Sequence, residues 1–159
     1  MSAWTYQGVL FESEDIGAHN AFVYRITNKT DNRFYIGKKL FWSTTTRPPL
    51  KGKKRKRKVT KESDWKDYFG SSKSLQADVE EFGRDNFTRE IIYLAVSKAE
   101  SSYMELWHQI NEDVLFRDDS YNGIVSVRIG SNATKKVRSK ILCETNKIIE
   151  KCVDNTPPL

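Results

Sequence analysis

Cysteine is scarce in this chain: there are two in 159 residues, Cys143 and Cys152, both late. Two late thiols build no disulfide framework, and with only His19 and His108 as imidazoles no Cys/His cluster has the spacing of a zinc site. The reading is a reducing compartment and inert thiols. No apolar run approaches the ~18 residues of a membrane span. The start of the chain has no basic segment followed by a hydrophobic one, so secretion is not expected. We expect a soluble, cytoplasmic protein without a membrane partner or a small-molecule cofactor. What is present, 38% hydrophobic and 12% aromatic residues, suffices for one domain with a modest core.

Acids are missing from one place in particular. Residues 51–61 hold eight basic side chains and no acid, so a chain of net charge +6 is left with −2 elsewhere. The run Lys53, Lys54, Arg55, Lys56, Arg57 and Lys58 follows Ser43–Pro49, whose Pro48-Pro49 pair is read as breaking regular structure. Mutual repulsion then suggests a mobile arm. A solvated linker, a nuclear localisation signal and a solubility device are the plain alternatives. Contact with a nucleic-acid backbone, by these residues with Lys39, is the functional one, because phosphate neutralisation dominates nonspecific affinity. Such contacts carry no sequence information.

The stretch before this arm is organised. Phe22, Tyr24 and Ile26 alternate onto one strand face and Phe34 and Ile36 onto another, with turn chemistry in residues 28–32, which predicts a β-hairpin. A lysine pair, Lys38-Lys39, follows at once and suggests an anion site; ordinary strand packing is the plain reading of the tyrosines.

Further along, Leu75, Val79 and Phe82 at i, i+4 and i+7 predict a short amphipathic helix, with Ser72 or Ser74 as cap and Gly83 as its stop. Residues 86–96 read as a third strand flanked by both hairpin strands. Ser97 and Glu100 form a capping box ahead of a stripe of Ala99, Tyr103, Leu106, Trp107, Ile110 and Val114, closed by residues 118–120. Residues 124–129 read as a short strand or extended arm, those from 132 onward as a basic helix, and 154–159 as a frayed end. Both histidines read as surface residues, and Trp42 and Trp65 as core residues that in principle can stack on bases.

The segments Phe22-Val23-Tyr24 and Tyr35-Ile36-Gly37 resemble the paired motifs of the GIY-YIG nuclease superfamily, with Phe22 in place of the first glycine. The resemblance extends over about residues 22–122 and is similar to small stand-alone members encoded by bacteriophages. It implies an α/β (α+β) fold with a small three-stranded antiparallel sheet flanked by helices. The nuclease-like domain would span 1–129, interrupted by a basic insertion at about 43–64, with a basic helix and tail over 130–159. It also implies a metal-dependent endonuclease acting on DNA with Mg2+ or Mn2+.

By the same resemblance Tyr24 is the base or the hydrogen-bond partner of the attacking water, Tyr35 positions it, Lys38 supplies a cation, Glu105 binds the metal and Asn122 supports the site. Glu105 lies opposite the apolar stripe, as an exposed glutamate also would, so Glu100 stands in reserve. The family's arginine after the second motif has no counterpart here; Arg57 and Arg89, with Arg55, are the candidates to replace it. A catalytically lapsed DNA-binding module on the same scaffold, and a basic RNA-binding protein, are the competing functions.

Overall fold

The computed structural model describes residues 2–154, with side chains through residue 151. Of the expected frayed end at 154–159, Asp154 still closes the last helix and 155–159 lie outside the described residues, as does the Cys152 thiol; Cys143 is exposed and unpaired.

The expected hairpin is β3 (Ala21–Asn28) and β4 (Phe34–Leu40), paired antiparallel with Tyr24 opposite Gly37 and Ile26 opposite Tyr35. Its alternation sorts side chains onto two faces. Phe22, Tyr24 and Ile26 enter one aromatic cluster with Trp4, Phe41 and Trp65, and Val23, Phe34 and Ile36 enter a second with Tyr93 and Met104.

The sheet around the hairpin has five strands and is mixed, correcting the expected three antiparallel ones. β1 (Trp4–Tyr6), β2 (Val9–Leu10) and β7 (Phe87–Ala95) join it in the order β2-β1-β7-β3-β4. β7 runs antiparallel to β3 and parallel to β1, so only one hairpin strand is its neighbour. The first ten residues, whose Trp4, Tyr6, Val9 and Leu10 read as a short strand or lead-in, do form strands; the buried Trp4, whose indole N–H donates to the Trp65 carbonyl, is what fixes them there.

The pairing of β3 with β7 carries a bulge beside Tyr24, where Val23 faces Tyr93 but Tyr24 faces Ile91. The extra residue, Ile92, switches parity: Ile91 and Leu94 point into the first cluster while Tyr93 and Ala95 point into the second.

Helix α1 (Lys73–Phe82) buries Leu75 and Val79 against the first face and ends at Gly83, whose φ is +82°. Ser72 occupies its N-cap position, but its hydroxyl lies against Ser74 and the Tyr121 carbonyl rather than a helix N–H. Helix α2 (Lys98–Asn111) covers the second face and stops well short of residues 118–120. Ser97 caps it by accepting from the Glu100 amide, while the Glu100 carboxylate takes Val96 N–H and the Tyr93 hydroxyl, so only half of the capping box forms.

The face that α2 buries is not the expected stripe. Tyr103 and Ile110 are exposed at 37% and 59%, whereas Ser101, Met104, His108 and Gln109 are buried. Residues 124–129 have no regular secondary structure and pair with no strand among the described residues. A short turn of helix, α3 (Ser131–Thr134), leads to α4 (Arg138–Asp154), which docks Ile141 into the second cluster and pairs Lys140 with Glu100 at 2.8 Å.

The segment expected to be irregular and mobile is instead a second hairpin. β5 (Trp42–Arg47) and β6 (Arg57–Glu62) form a separate two-stranded ribbon, with Arg47 opposite Arg57, Lys58 and Lys61 on β6, and Lys51, Lys53, Lys54, Arg55 and Lys56 in the connecting loop. Prolines 48 and 49 fall just past the end of β5, where no ladder hydrogen bond is required of them.

Candidate functional site

Tyr24 and Tyr35 project from neighbouring strands onto the first face, their ring centroids 6.1 Å apart, and Tyr68 lies edge-on to Tyr24 at 6.0 Å. Between the phenols lies Gly37. A Cβ there would fall 2.5 Å from the Tyr24 hydroxyl oxygen and 2.8 Å from Tyr35 Cε1, so the close approach of the two rings requires glycine at this position. Gly70 repeats the device with φ of +78°, a conformation suited to glycine; a Cβ there would meet Leu75 at 2.9 Å and Tyr35 at 3.3 Å.

The Tyr35 hydroxyl lies 3.0 Å from Ser71 Oγ, which ties the strand to the turn before α1. Neither Tyr68 nor Ser71 was singled out from the sequence. The only sign of them was the aromatic-glycine-serine run 68–72, which reads equally well as packing.

Lys38 leaves β4 on the other side and pairs with Glu105 of α2 at the sheet edge. Helix α2 buries Met104 and His108 rather than Tyr103 and Ile110, and this turns Glu105 inward, leaving its side chain 16% exposed. The apparent conflict between Glu105 and the apolar stripe eases because Tyr103 and Ile110 of that stripe face outward, although Trp107 and Val114 pack on the second cluster. No hydrogen bond joins the carboxylate to the phenols; it reaches them through charge.

Burial pushes the Tyr24 phenol well above its ordinary value, with the phenols of Tyr68 and Tyr35 and the charge of Glu105 adding to it. Burial likewise raises Tyr35, partly offset by its bond to Ser71. Both hydroxyls are therefore protonated in the free protein at neutral pH.

Asn122 is 7% exposed and grips the edge strand at a single residue. Its Oδ1 accepts from Ile36 N–H at 2.9 Å and its Nδ2 donates to Ile36 C=O at 2.8 Å. Gln109 of α2 donates to the same carbonyl at 3.0 Å. With Tyr121 N–H donating to Phe34 C=O, these groups cover the free edge of β4 beside the phenols.

Two other expected residues lie elsewhere. Glu100, the reserve carboxylate, is fully buried and spends its oxygens on Tyr93, Val96 and Lys140. Arg89 is 6% exposed, donates to the carbonyls of Ser2, Lys66 and Tyr68, and stacks between Trp4 and Phe69. Burial lowers its pKa to about 10. Its donors bind backbone, so it fastens the first strand and the turn that carries Tyr68 and offers nothing to a phosphate.

Arg57 is exposed on β6, opposite Arg47 at the far end of the ribbon, and Lys53, Lys54, Arg55, Lys56 and Lys58 are exposed around it. Among the described residues no arginine has a hydrogen bond, ion pair or ring contact with Tyr24, Tyr35 or Glu105. Lys38 is the cation at the site. Lys39 bonds Asp64 at 2.7 Å, with its ammonium 3.9 Å from the Tyr68 ring centre.

Beside Lys38 a cleft of about 500 Å³ opens between the root of the ribbon and the start of α2, lined by Lys39, Trp42, Thr44 and Lys98 among others. Trp42 is half-exposed there, whereas Trp65 is wholly buried in the first cluster, as expected for a core residue. His108 departs from the expectation of a surface histidine: it is buried, burial lowers its pKa to about 4, and its Nε2 has no hydrogen-bond partner.

Among the described residues no group of three or more His, Cys, Asp or Glu side chains clusters as a metal cage. One inward carboxylate beside open solvent fits Mg2+ or Mn2+, hard cations that keep much of their water and take one or two carboxylates plus substrate oxygens. It does not fit zinc, which demands three or four protein ligands. No helix among the described residues is long and apolar enough to cross a membrane.

A family model described as "Putative endonuclease segE, GIY-YIG domain" matches residues 4–125. No curated protein and no solved structure matches the chain.

Proposed function

Since this chain belongs to the segE-type GIY-YIG endonuclease domain family, we propose that it is a metal-dependent endonuclease that hydrolyses DNA phosphodiester bonds at the β4 edge. The observation that carries the reading is the packing of Tyr24 and Tyr35 over the bare Cα of Gly37, with Lys38 and Glu105 paired at the adjoining edge.

The roles follow from the chemistry of each group. Tyr24, held protonated, serves as the hydrogen-bond partner that orients the attacking water; it becomes a base only where nearby cations stabilise its anion. Tyr35, fixed by Ser71, holds the water or a phosphate oxygen against it. Lys38 neutralises charge that gathers on the phosphate as the water oxygen bonds to phosphorus and the ester P–O bond breaks. Asn122 positions the edge strand through Ile36 rather than touching substrate. A Mg2+ or Mn2+ ion held by Glu105 would supply Lewis acidity to a phosphate oxygen. In this reading residues 1–129 are the nuclease domain, the segment at 43–64 is an insertion that holds substrate, and 130–159 are an added basic helix and tail.

A second reading, a lapsed DNA-binding module, is favoured by one observation: neither Arg57 nor Arg89 supplies the phosphate-binding arginine. Incubation of supercoiled plasmid with the protein and Mg2+ or Mn2+ separates the two. Nicking that Glu105→Ala abolishes supports the enzyme; binding without nicking by the wild type supports the module.

A further inference from the structure

The ribbon is built unlike anything else in the molecule. Residues 42–62 contain nine basic residues and one acid, Glu62. That acid is used at the root, accepting from Ser13 at 2.7 Å and from the Trp65 indole at 2.6 Å. Ser63 adds bonds to the carbonyls of Phe41 and Leu40, at 2.7 and 2.6 Å. Beyond that root nearly every side chain on both faces of β5 and β6 is exposed.

Isolated two-stranded ribbons are marginal in water. This one also sets Arg47 opposite Arg57, a like-charge pair that weakens a ladder. Besides the backbone ladder, short hydroxyl contacts such as Thr44 to Thr60, 3.1 Å, hold its middle. A rigid root, a polar shaft and a cationic tip describe an element whose missing partner is a polyanion.

Dimensions choose the polyanion and the groove. Two paired strands ~4.8 Å apart with side chains on both faces fit the ~12 Å major groove of B-DNA and not its ~6 Å minor groove. The deep, narrow major groove of an RNA helix excludes them as well. Resting on the reading of this chain as a DNA nuclease, we propose that the β5–β6 ribbon enters the major groove of duplex DNA, with Arg47 and Arg57 at the outer end of its ladder placed at the base edges, while Lys39 and Lys98 beside the cleft hold the flanking backbone. Arginine forks suit guanine edges there, so the ribbon supplies the base readout that the domain otherwise lacks. The nine-residue path from Lys38 to Arg47 spans at most ~30 Å at ~3.3 Å per residue. The bases read therefore lie within one helical turn, ~34 Å, of the cut.

The test is binding of the full chain to a fluorescent 30-base-pair duplex in EDTA, where no cleavage occurs. Displacement of the wild type by methyl green, which occupies the major groove, and not by netropsin, which occupies the minor groove, is expected. A fall of at least tenfold in affinity for Arg47→Gln/Arg57→Gln at unchanged melting temperature is also expected. Displacement by netropsin alone, equal or tighter binding of single strands or of an RNA hairpin, or a double variant within twofold of wild type overturns the proposal. Because these arms need no metal, their outcome is separate from that of the plasmid assay. A wild type that binds as expected but never nicks removes the nuclease reading and leaves the ribbon's role intact.

Discussion

Two hairpins follow one another in this chain, and they share little beyond their hydrogen-bond pattern. In β3–β4 nearly every side chain is buried or half-buried, and the free edge is gripped by Asn122 and Gln109. In β5–β6 nearly every side chain is exposed and the charge is almost all of one sign. The first uses burial to fix two phenols within a ring's width of each other. The second gives up burial and leaves its cations in solvent. On the function proposed above, positioning chemistry and positioning substrate make opposite demands on the same local structure.

Hydrogen exchange offers the largest contrast. Amides of β3 and β4 should open only with global unfolding, while those of β5 and β6 should exchange faster by ~3 or more orders of magnitude, since they open with little loss of burial. Duplex DNA in EDTA should slow the ribbon's amides and leave β3–β4 unchanged. A ribbon as protected as the core before DNA is added would erase the distinction.

Next in size is Gly37→Ala. The new methyl collides with the Tyr24 hydroxyl and the edge of Tyr35, both held by packing, so the phenols must part. Plasmid nicking should fall at least ~100-fold, in line with losing one well-placed transition-state donor, and stability by about 1–3 kcal/mol from overpacking. Duplex binding in EDTA should stay within twofold of wild type. A variant that nicks normally would show that the two phenols do not act together.

Asn122→Ala attacks the same hairpin from its edge. It leaves the Ile36 N–H without its partner in a buried setting, at a cost of about 1–3 kcal/mol. Nicking should drop about tenfold through displacement of the strand that carries Tyr35 and Gly37, a loss worth about 1.4 kcal/mol in the barrier. An Asn122→Ala protein with full activity and full stability would reduce its two bonds to ornament.

How much of this was legible in advance follows the same division. The β3–β4 hairpin, its two faces and the Tyr35-Ile36-Gly37 motif could be read because period-two alternation survives wherever a sheet buries its residues. Helix α2 misled because Tyr103 and Ile110 lie outward, while its buried side carries Ser101, His108 and Gln109 beside Met104; of its polar residues, Gln109 bonds Ile36 and Glu105 pairs with Lys38 on β4. The ribbon was unreadable as a ribbon: charge suppressed its alternation, and only backbone pairing reveals it. Arg89 looked like a phosphate ligand because sequence cannot show that its donors are already taken by three backbone carbonyls. The first ten residues, with Trp4, Tyr6, Val9 and Leu10, read as a short strand or lead-in, but the parallel pairing of β1 with β7 was not legible because three residues hold too little pattern to choose a partner. Nor was the bulge at Ile92, because nothing local marks it.

The smallest effect concerns pH, and again only one hairpin's surroundings take part. His108 lies on the buried face of α2, against the second face of the sheet, with a pKa lowered from 6.5 to about 4 by burial and an Nε2 that meets no partner. The folded state holds this imidazole neutral, while the unfolded chain takes up a proton below about pH 6.5. Stability from this group is therefore complete above pH 6.5 and declines as pH falls toward 4, where the folded form protonates too and the loss levels off. At ~1.4 kcal/mol per unit the full loss is at most about 3.5 kcal/mol. His108→Phe removes the titration while keeping a ring of similar size, so its urea midpoint should fall less between pH 6.5 and 4 than that of the wild type. Parallel curves for the two proteins would sink the assignment. Residues 42–62 contain no histidine, so duplex binding in EDTA should stay level over that window wherever the core remains folded, and acid should weaken the sheet and α2 before it affects the ribbon.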